Sequence, residues 1–206
     1  MTGITLVPIE IQHPTELYPI ADELTTSAAP ALLTVSIRGS YPEDLSRIAE
    51  LFFRRNQQEA LQLFEKFKTT HQQLARDKSA NPITILQQLN DLFTEVEWLL
   101  YDNPVKDADY YYAQICCIGE LVASALLAAF LGEKNIRTQW LDARDFVKTD
   151  NQFRSATIDA GLTEQNIQQQ LLPLFPRFTY VVTQNSIGST PDNENTLTDG
   201  WSALLR

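Results

Sequence analysis

Apolar residues recur along this chain in two rhythms, a period of two or a short continuous run for strands and a period near 3.6 for helices. Ile4 to Ile11 is a β-like run interrupted by Pro8, which suits an edge or an irregular strand. Pro14 to Ala28 then takes helical spacing, with Thr15 as candidate N-cap and Leu17, Ile20, Ala21 and Leu24 on one face. Ala31 to Ile37 (ALLTVSI) is short, apolar and β-branched, the pattern of a strand covered on both sides. Helical stripes follow over 42–55, 57–76 and 82–101, carrying for example Leu45, Ile48 and Phe52, then Phe64 and Phe67, then Leu89, Phe93 and Val96.

Asp107 to Leu131 reads as one long helix in which, from Tyr110 onward, only Glu120 is ionisable. Its length suits a bilayer span. Gln114, Glu120, Ser124 and three tyrosines, with no flanking basic cluster, favour a buried central helix instead. After Gly132 the rhythm changes. Arg137–Leu141 and Phe146–Thr149 read as short strands, Thr163–Leu172 as a helix begun by Thr163, and Phe178–Thr183 as a third strand. A polar, turn-rich stretch over 185–196 leads to a last short helix from Leu197 to Leu205. Short apolar strands alternating with helices predict an α/β fold of three layers, a mostly parallel sheet between helices, rich in helix.

Composition narrows the function classes. The chain has 206 residues, the size of one domain, with 44% hydrophobic and 20% charged residues. A formal net charge of −10 makes nucleic acid and membrane surfaces poor partners. The N-terminus MTGITLVPIEIQHP lacks a basic start and a long apolar run, so a cytoplasmic location is expected. Glycine is scarce: seven, none adjacent, about half of average usage. A loop wrapping a nucleotide phosphate needs clustered glycine for close backbone approach, so a self-sufficient nucleotide site is not expected.

Candidate chemistry is sparse. His13 and His71 lie on unrelated elements in polar sequence, and both read as surface residues. Cys116 and Cys117 are adjacent and match no metal or redox spacing, so they read as buried thiols. Neither a metal nor a cofactor is implied. Glu120, preceded by Gly119, is a lone carboxylate in an apolar helix, and burying it is costly unless something meets it. WLDARDFVKTD (Trp140–Asp150), VTQNSIGS (Val182–Ser189) and Ser36–Ser40 leave strand ends, where open parallel sheets bind ligands.

In order, Cys117-Ile118-Gly119-Glu120-Leu121, Trp140-Leu141-Asp142-Ala143-Arg144-Asp145-Phe146, Thr149-Asp150, Val182-Thr183-Gln184 and Ile187-Gly188-Ser189 resemble aspartate kinase. Asp22-Glu23-Leu24, LLTVSIRG and the Thr196–Leu205 segment extend the resemblance across the chain. It implies an amino-acid-kinase-like (carbamate-kinase-like) N-terminal lobe over 1–206, without the nucleotide-binding lobe and ACT domains. From the amino-acid side of the family's site it implies Ser36, Glu120, Arg144, Thr149 and Asp150 as vestigial substrate-binding candidates, with Glu120 positioned to meet an amino group.

The family's phosphate-handling devices do not match. Where aspartate kinases carry Lys-Phe-Gly-Gly-Thr-Ser, this chain has Val7-Pro8-Ile9-Glu10-Ile11-Gln12. Their Leu-Gly-Arg-Gly-Gly-Ser-Asp motif is shortened to Leu197-Thr198-Asp199-Gly200-Trp201-Ser202, with no arginine. Phosphoryl transfer rests on positioning and on neutralising phosphate charge. The expected function is therefore a degenerate relative without kinase activity, binding an aspartate-like amino acid, a protein partner or a second copy of itself. The alternatives are a kinase half completed by a second chain, and an oligomerisation module using the 82–131 helices.

Overall fold

The computed structural model describes residues 5–26 and 29–205, so the ends of the first strand and first helix expected at Ile4 and Ala28 lie outside the described residues. Four parallel strands form the main sheet in the order β1-β2-β4-β3: β1 (Thr5–Ile11), β2 (Ala31–Ile37), β4 (Tyr180–Gln184) and β3 (Thr138–Trp140). Pro8 lies on β1, at the sheet edge, where a missing N–H breaks no ladder. All five residues of β4 and the first six of β2 are buried, so the central strands are covered on both faces.

Helices α1 (Leu17–Leu24), α2 (Ser40–Phe53), α3 (Gln57–Lys78), α4 (Pro82–Tyr101), α5 (Ala108–Cys116) and α6 (Ile118–Glu133) follow the apolar stripes. The long apolar helix is broken at Cys117 into α5 and α6. Helix α6 packs over β2, β3 and β4, with α1 and α4 against it. Ala108–Glu133 reaches a mean hydropathy of 2.1, long and apolar enough for a membrane, yet 89% of that window is buried inside the protein. It is a core helix. Both cysteines are buried free thiols; burial pushes Cys116 up to about 12 and Cys117 well above its usual value.

Past α6 the structure departs from the sequence reading. Phe146–Thr149 is not a strand. Ala143–Phe146 makes one helical turn, α7, because the Asp142 carboxylate caps it, accepting from the Arg144 N–H at 2.9 Å. Only single bridges follow, Lys148 to Ser189 and Thr149 to Ile158. Helix α8 (Ala160–Asn166) is begun by Asp159, which accepts from Leu162 N at 3.0 Å, and it winds on into a π-helical turn over Ile167–Leu171. Thr163 is not its cap; its buried hydroxyl accepts from Lys148 N at 3.0 Å. The polar stretch after β4 folds into an antiparallel hairpin of β5 (Ile187–Ser189) and β6 (Asn195–Leu197), and the last helix is a 3₁₀ turn over Trp201–Leu205.

Gly188 fixes how closely β5 approaches the 147–149 segment. A Cβ there would lie 2.9 Å from the Val147 carbonyl oxygen and 3.0 Å from Thr149 Cγ2. Backbone cannot yield as a side-chain tip can. Gly188→Ala is expected to lower unfolding free energy by roughly 1–3 kcal/mol in urea denaturation; an unchanged midpoint would contradict this packing.

Candidate functional site

The C-terminal ends of β2 and β4 meet above the first turn of α6, which carries Glu120. Only 4% of Glu120 is exposed, and its Oε2 accepts from Ser186 N at 2.8 Å and Asn185 N at 3.1 Å. Burial pushes its carboxyl up to about 7, although backbone N–H groups of Ser186, Asn185 and Ile37 and the Ser186 hydroxyl work in the opposite direction. The apolar helix places an acid here, and the strand-end amides are what it meets.

The loop over Glu120 is held from its other side too. Trp201 N donates to Asn185 O at 3.1 Å, the Trp201 indole N–H to Gln184 O at 2.7 Å, and Thr198 N to Ser186 O at 2.8 Å. Trp201 is fully buried and meets Phe146 edge to face at 4.9 Å. Gly200 has φ +114°, and a Cβ there would meet Asn185 Nδ2 at 2.9 Å, so glycine is what lets the segment close. Gln184 completes the crest: its amide oxygen accepts from Ala143 N at 2.7 Å, and its Nε2 donates at 2.6 Å to Ser124 Oγ, which also accepts from the Trp140 indole.

The other sequence-predicted residues are engaged likewise. Arg144 donates through Nε and Nη2 to Asp142 (2.7–3.1 Å) and through both terminal nitrogens to Glu95 (2.6 and 3.3 Å). Its Nη1 also reaches Asn195 Oδ1 at 3.2 Å. Burial works against its charge, but the bonds and charges of Asp142 and Glu95 outweigh it and raise its pKa. Thr149 Oγ1 pairs with Thr196 Oγ1 at 2.9 Å. Asp150 accepts from Gln152 N and Thr157 N, both at 3.1 Å, an arrangement that organises a turn. Ser36 is 5% exposed on β2, in register with Glu10 of β1. The structure thus gathers Glu120 with the 184–186 and 198–201 segments, and ties Arg144, Thr149 and Asp150 into the 142–157 segment and the β5–β6 hairpin.

At the end of β1 the chain turns directly through Gln12 and His13 into a 3₁₀ turn at Pro14–Glu16, with Gln12 N donating to Glu16 at 2.9 Å. Glu10 points to solvent, with Arg38 at 3.5 Å. Beside this turn a cleft of about 240 Å³ opens between the start of α2 and the middle of α3. Tyr41, Phe67 and His71 are among its lining residues, with Asp44 and Lys66. His71 is not a surface residue: it is 1% exposed. Its Nδ1 lies 2.7 Å from Phe67 O and donates there, so Nε2 is free to accept from the Tyr41 hydroxyl. Burial holds the imidazole down to about 4, neutral at ordinary pH. A signal for this was present, since His71 falls one turn after Phe67 on the apolar stripe of α3. Among the described residues no three His, Cys, Asp or Glu side chains converge as a metal site.

No protein-family model matches the chain. In sequence it is 33% identical over 95 residues to bifunctional aspartokinase/homoserine dehydrogenase 2 of Escherichia coli (strain K12), covering 44% of this chain and 11% of that protein. It is 34% identical over 71 residues to lysine-sensitive aspartokinase 3 of the same organism, covering 34% of this chain and 16% of that one. In fold it matches E. coli aspartokinase III in complex with lysine and aspartate, with TM-score 0.83 and 19% identity over 98% of this chain and 46% of that chain. The Clostridium acetobutylicum aspartate kinase matches with TM-score 0.63 and 11% identity over 95% of this chain and 42% of that one. The chain is like the N-terminal portion of aspartokinases in sequence and in its α/β fold, and it spans less than half the length of the relatives it matches.

Glu120 gives a pH dependence of defined sign. The folded chain keeps its proton up to about pH 7, whereas an ordinary glutamate keeps it only to 4.5. Between these values the folded state binds more protons, so this group's contribution to stability falls as pH rises. Urea denaturation from about pH 4 to pH 8 should show Glu120→Gln gaining on the wild type by roughly 3 kcal/mol across that range. A gap that does not change with pH would contradict the burial of this carboxyl.

Proposed function

We propose that this aspartate-kinase-like chain performs no phosphoryl transfer on its own and acts as a binding module, for a small amino acid or a protein partner, in a reducing cytoplasm. The observation that carries this reading is the state of the sheet crest. The acid and the arginine that would receive an amino acid there are occupied by the chain's own groups. Glu120 accepts from the 185–186 amides, and Arg144 is shared among Asp142, Glu95 and Asn195. Glu120, Arg144, Thr149 and Asp150 then serve the fold, Ser36 is buried on β2, and Trp201 occupies the segment where the family's motif has glycine and arginine.

Phosphate handling is opposed on independent grounds. A triphosphate needs convergent backbone N–H groups and cations. The β1 turn offers Glu10 and His13 and no glycine, while Arg38 lies near Glu10. Support for a protein partner comes from the exit of α4, where Trp98 is 73%, Tyr101 69% and Val105 88% exposed. The buried thiols, not paired in a disulfide, suit a reducing compartment.

Titration with magnesium–ATP by calorimetry, followed by a coupled assay for ADP with aspartate present, tests the central part of this reading. No saturable heat and no aspartate-dependent ADP are expected. Micromolar ATP binding with aspartate-dependent ADP release would overturn it. ADP release only after adding the C-terminal part of an aspartokinase would favour a half-enzyme completed in trans.

A further inference from the structure

The cleft beside the β1 turn shares no residue with the sheet crest, and its chemistry is different. Its base is aromatic. The Tyr41 ring lies nearly parallel to the His71 ring (13°) with centroids 5.5 Å apart, and Phe67 sits 4.3 Å from His71 and 5.9 Å from Tyr41. All three side chains are at least nine-tenths buried. The His71 imidazole has both nitrogens engaged and carries no charge, so the base is apolar as well as rigid.

The rim carries one free charge of each sign. Asp44 stands on the first turns of α2 and Lys66 on α3, both lining the cavity. Neither has an ion-pair partner within 4 Å among the described residues. The hydroxyl of Ser40 and the ring of His13 add polar groups at the mouth, with His13 Nδ1 taken by the Thr15 hydroxyl at 2.8 Å. An acid and a base over an apolar floor match a molecule with an ammonium and a carboxylate at one end and an apolar group at the other. The volume of about 240 Å³ is below that of sites for drug-sized ligands and fits one small molecule. A phosphorylated ligand would face Asp44 and a chain of net charge −10.

We propose that this cleft binds a free α-amino acid with an apolar side chain, its ammonium at Asp44, its carboxylate at Lys66 and its side chain over Tyr41 and Phe67. This rests on reading the chain as a binding module, and it puts the ligand at the α2–α3 cleft and not at Glu120.

The test is calorimetric titration at neutral pH with L-phenylalanine and L-leucine, then with N-acetyl-L-phenylalanine and L-phenylalaninamide, each of which lacks one charge. Asp44→Asn, Lys66→Gln and Glu120→Gln are titrated alongside. Asp44 and Lys66 are exposed, so their variants are expected to fold, as circular dichroism would verify. One-to-one binding of the free amino acids is expected, weakened by up to roughly fivefold by either blocked analogue and by either cleft variant, as for loss of an exposed ion pair. Asp44→Asn should no longer distinguish the N-acetyl compound from phenylalanine, and Glu120→Gln should bind as the wild type does. Absence of heat with millimolar phenylalanine and leucine overturns the proposal. Binding lost in Glu120→Gln but kept in both cleft variants overturns this site while leaving the amino-acid-binding reading in place, and the ATP titration decides the absence of kinase activity separately.

Discussion

A carboxylate buried beneath the ends of two central strands is the constraint around which the rest of this molecule is arranged. Glu120 sits at 4% exposure on a helix that is otherwise almost entirely apolar. An acid in that position is costly unless it is hydrogen-bonded or keeps its proton. Here both occur: the amides of Asn185 and Ser186 turn onto one oxygen, and the carboxyl titrates near neutrality. Those amides stay in place because Thr198 and Trp201 hold the carbonyls of the same loop from above. The clasp therefore ties α6, β4 and the last described turn together, and it engages two of the backbone amides that a parallel sheet ordinarily offers at its crest.

The same economy of polar groups governs the segment after β3. Arg144 is surrounded by Asp142, Glu95 and Asn195, which link α4, α7 and the β5–β6 hairpin. A guanidinium with this many acceptors is a structural tie, and releasing it for a ligand carboxylate would leave Asp142 and Glu95 without their partner. By contrast, the α2–α3 cleft keeps its two rim charges unpaired over a rigid aromatic base. In this chain the crest acid and Arg144 are engaged, while the free rim charges lie at the α2–α3 cleft.

Much of the architecture was legible because burial on both faces leaves a plain imprint. ALLTVSI and the run before Gln184 read as central strands, and α4 begins and ends at Pro82 and Tyr101 as its apolar stripe predicts. The aspartate-kinase resemblance was legible from Gly119-Glu120 and WLDARDF, and sequence and fold comparisons bear it out. Local capping is the part that the apolar pattern does not carry. Asp142 and Asp159 start helical turns by accepting backbone N–H groups, and this outweighed the β-like look of FVKT and the apparent cap at Thr163. His71 reads as a surface residue because its neighbours in sequence are polar, whereas its neighbours along the helix face are Phe64, Phe67 and Leu74. The engagement of Glu120 by backbone amides leaves no mark in sequence, since amides carry no residue identity.

The most direct measurement is the carbon-13 NMR titration of the Glu120 side-chain carboxyl, with and without saturating aspartate. A carboxyl closed inside the crest titrates near pH 7 and is unmoved by aspartate. A midpoint near the ordinary 4.5, or one displaced when aspartate is added, would contradict the closed crest and return Glu120 to the role of a ligand-binding group.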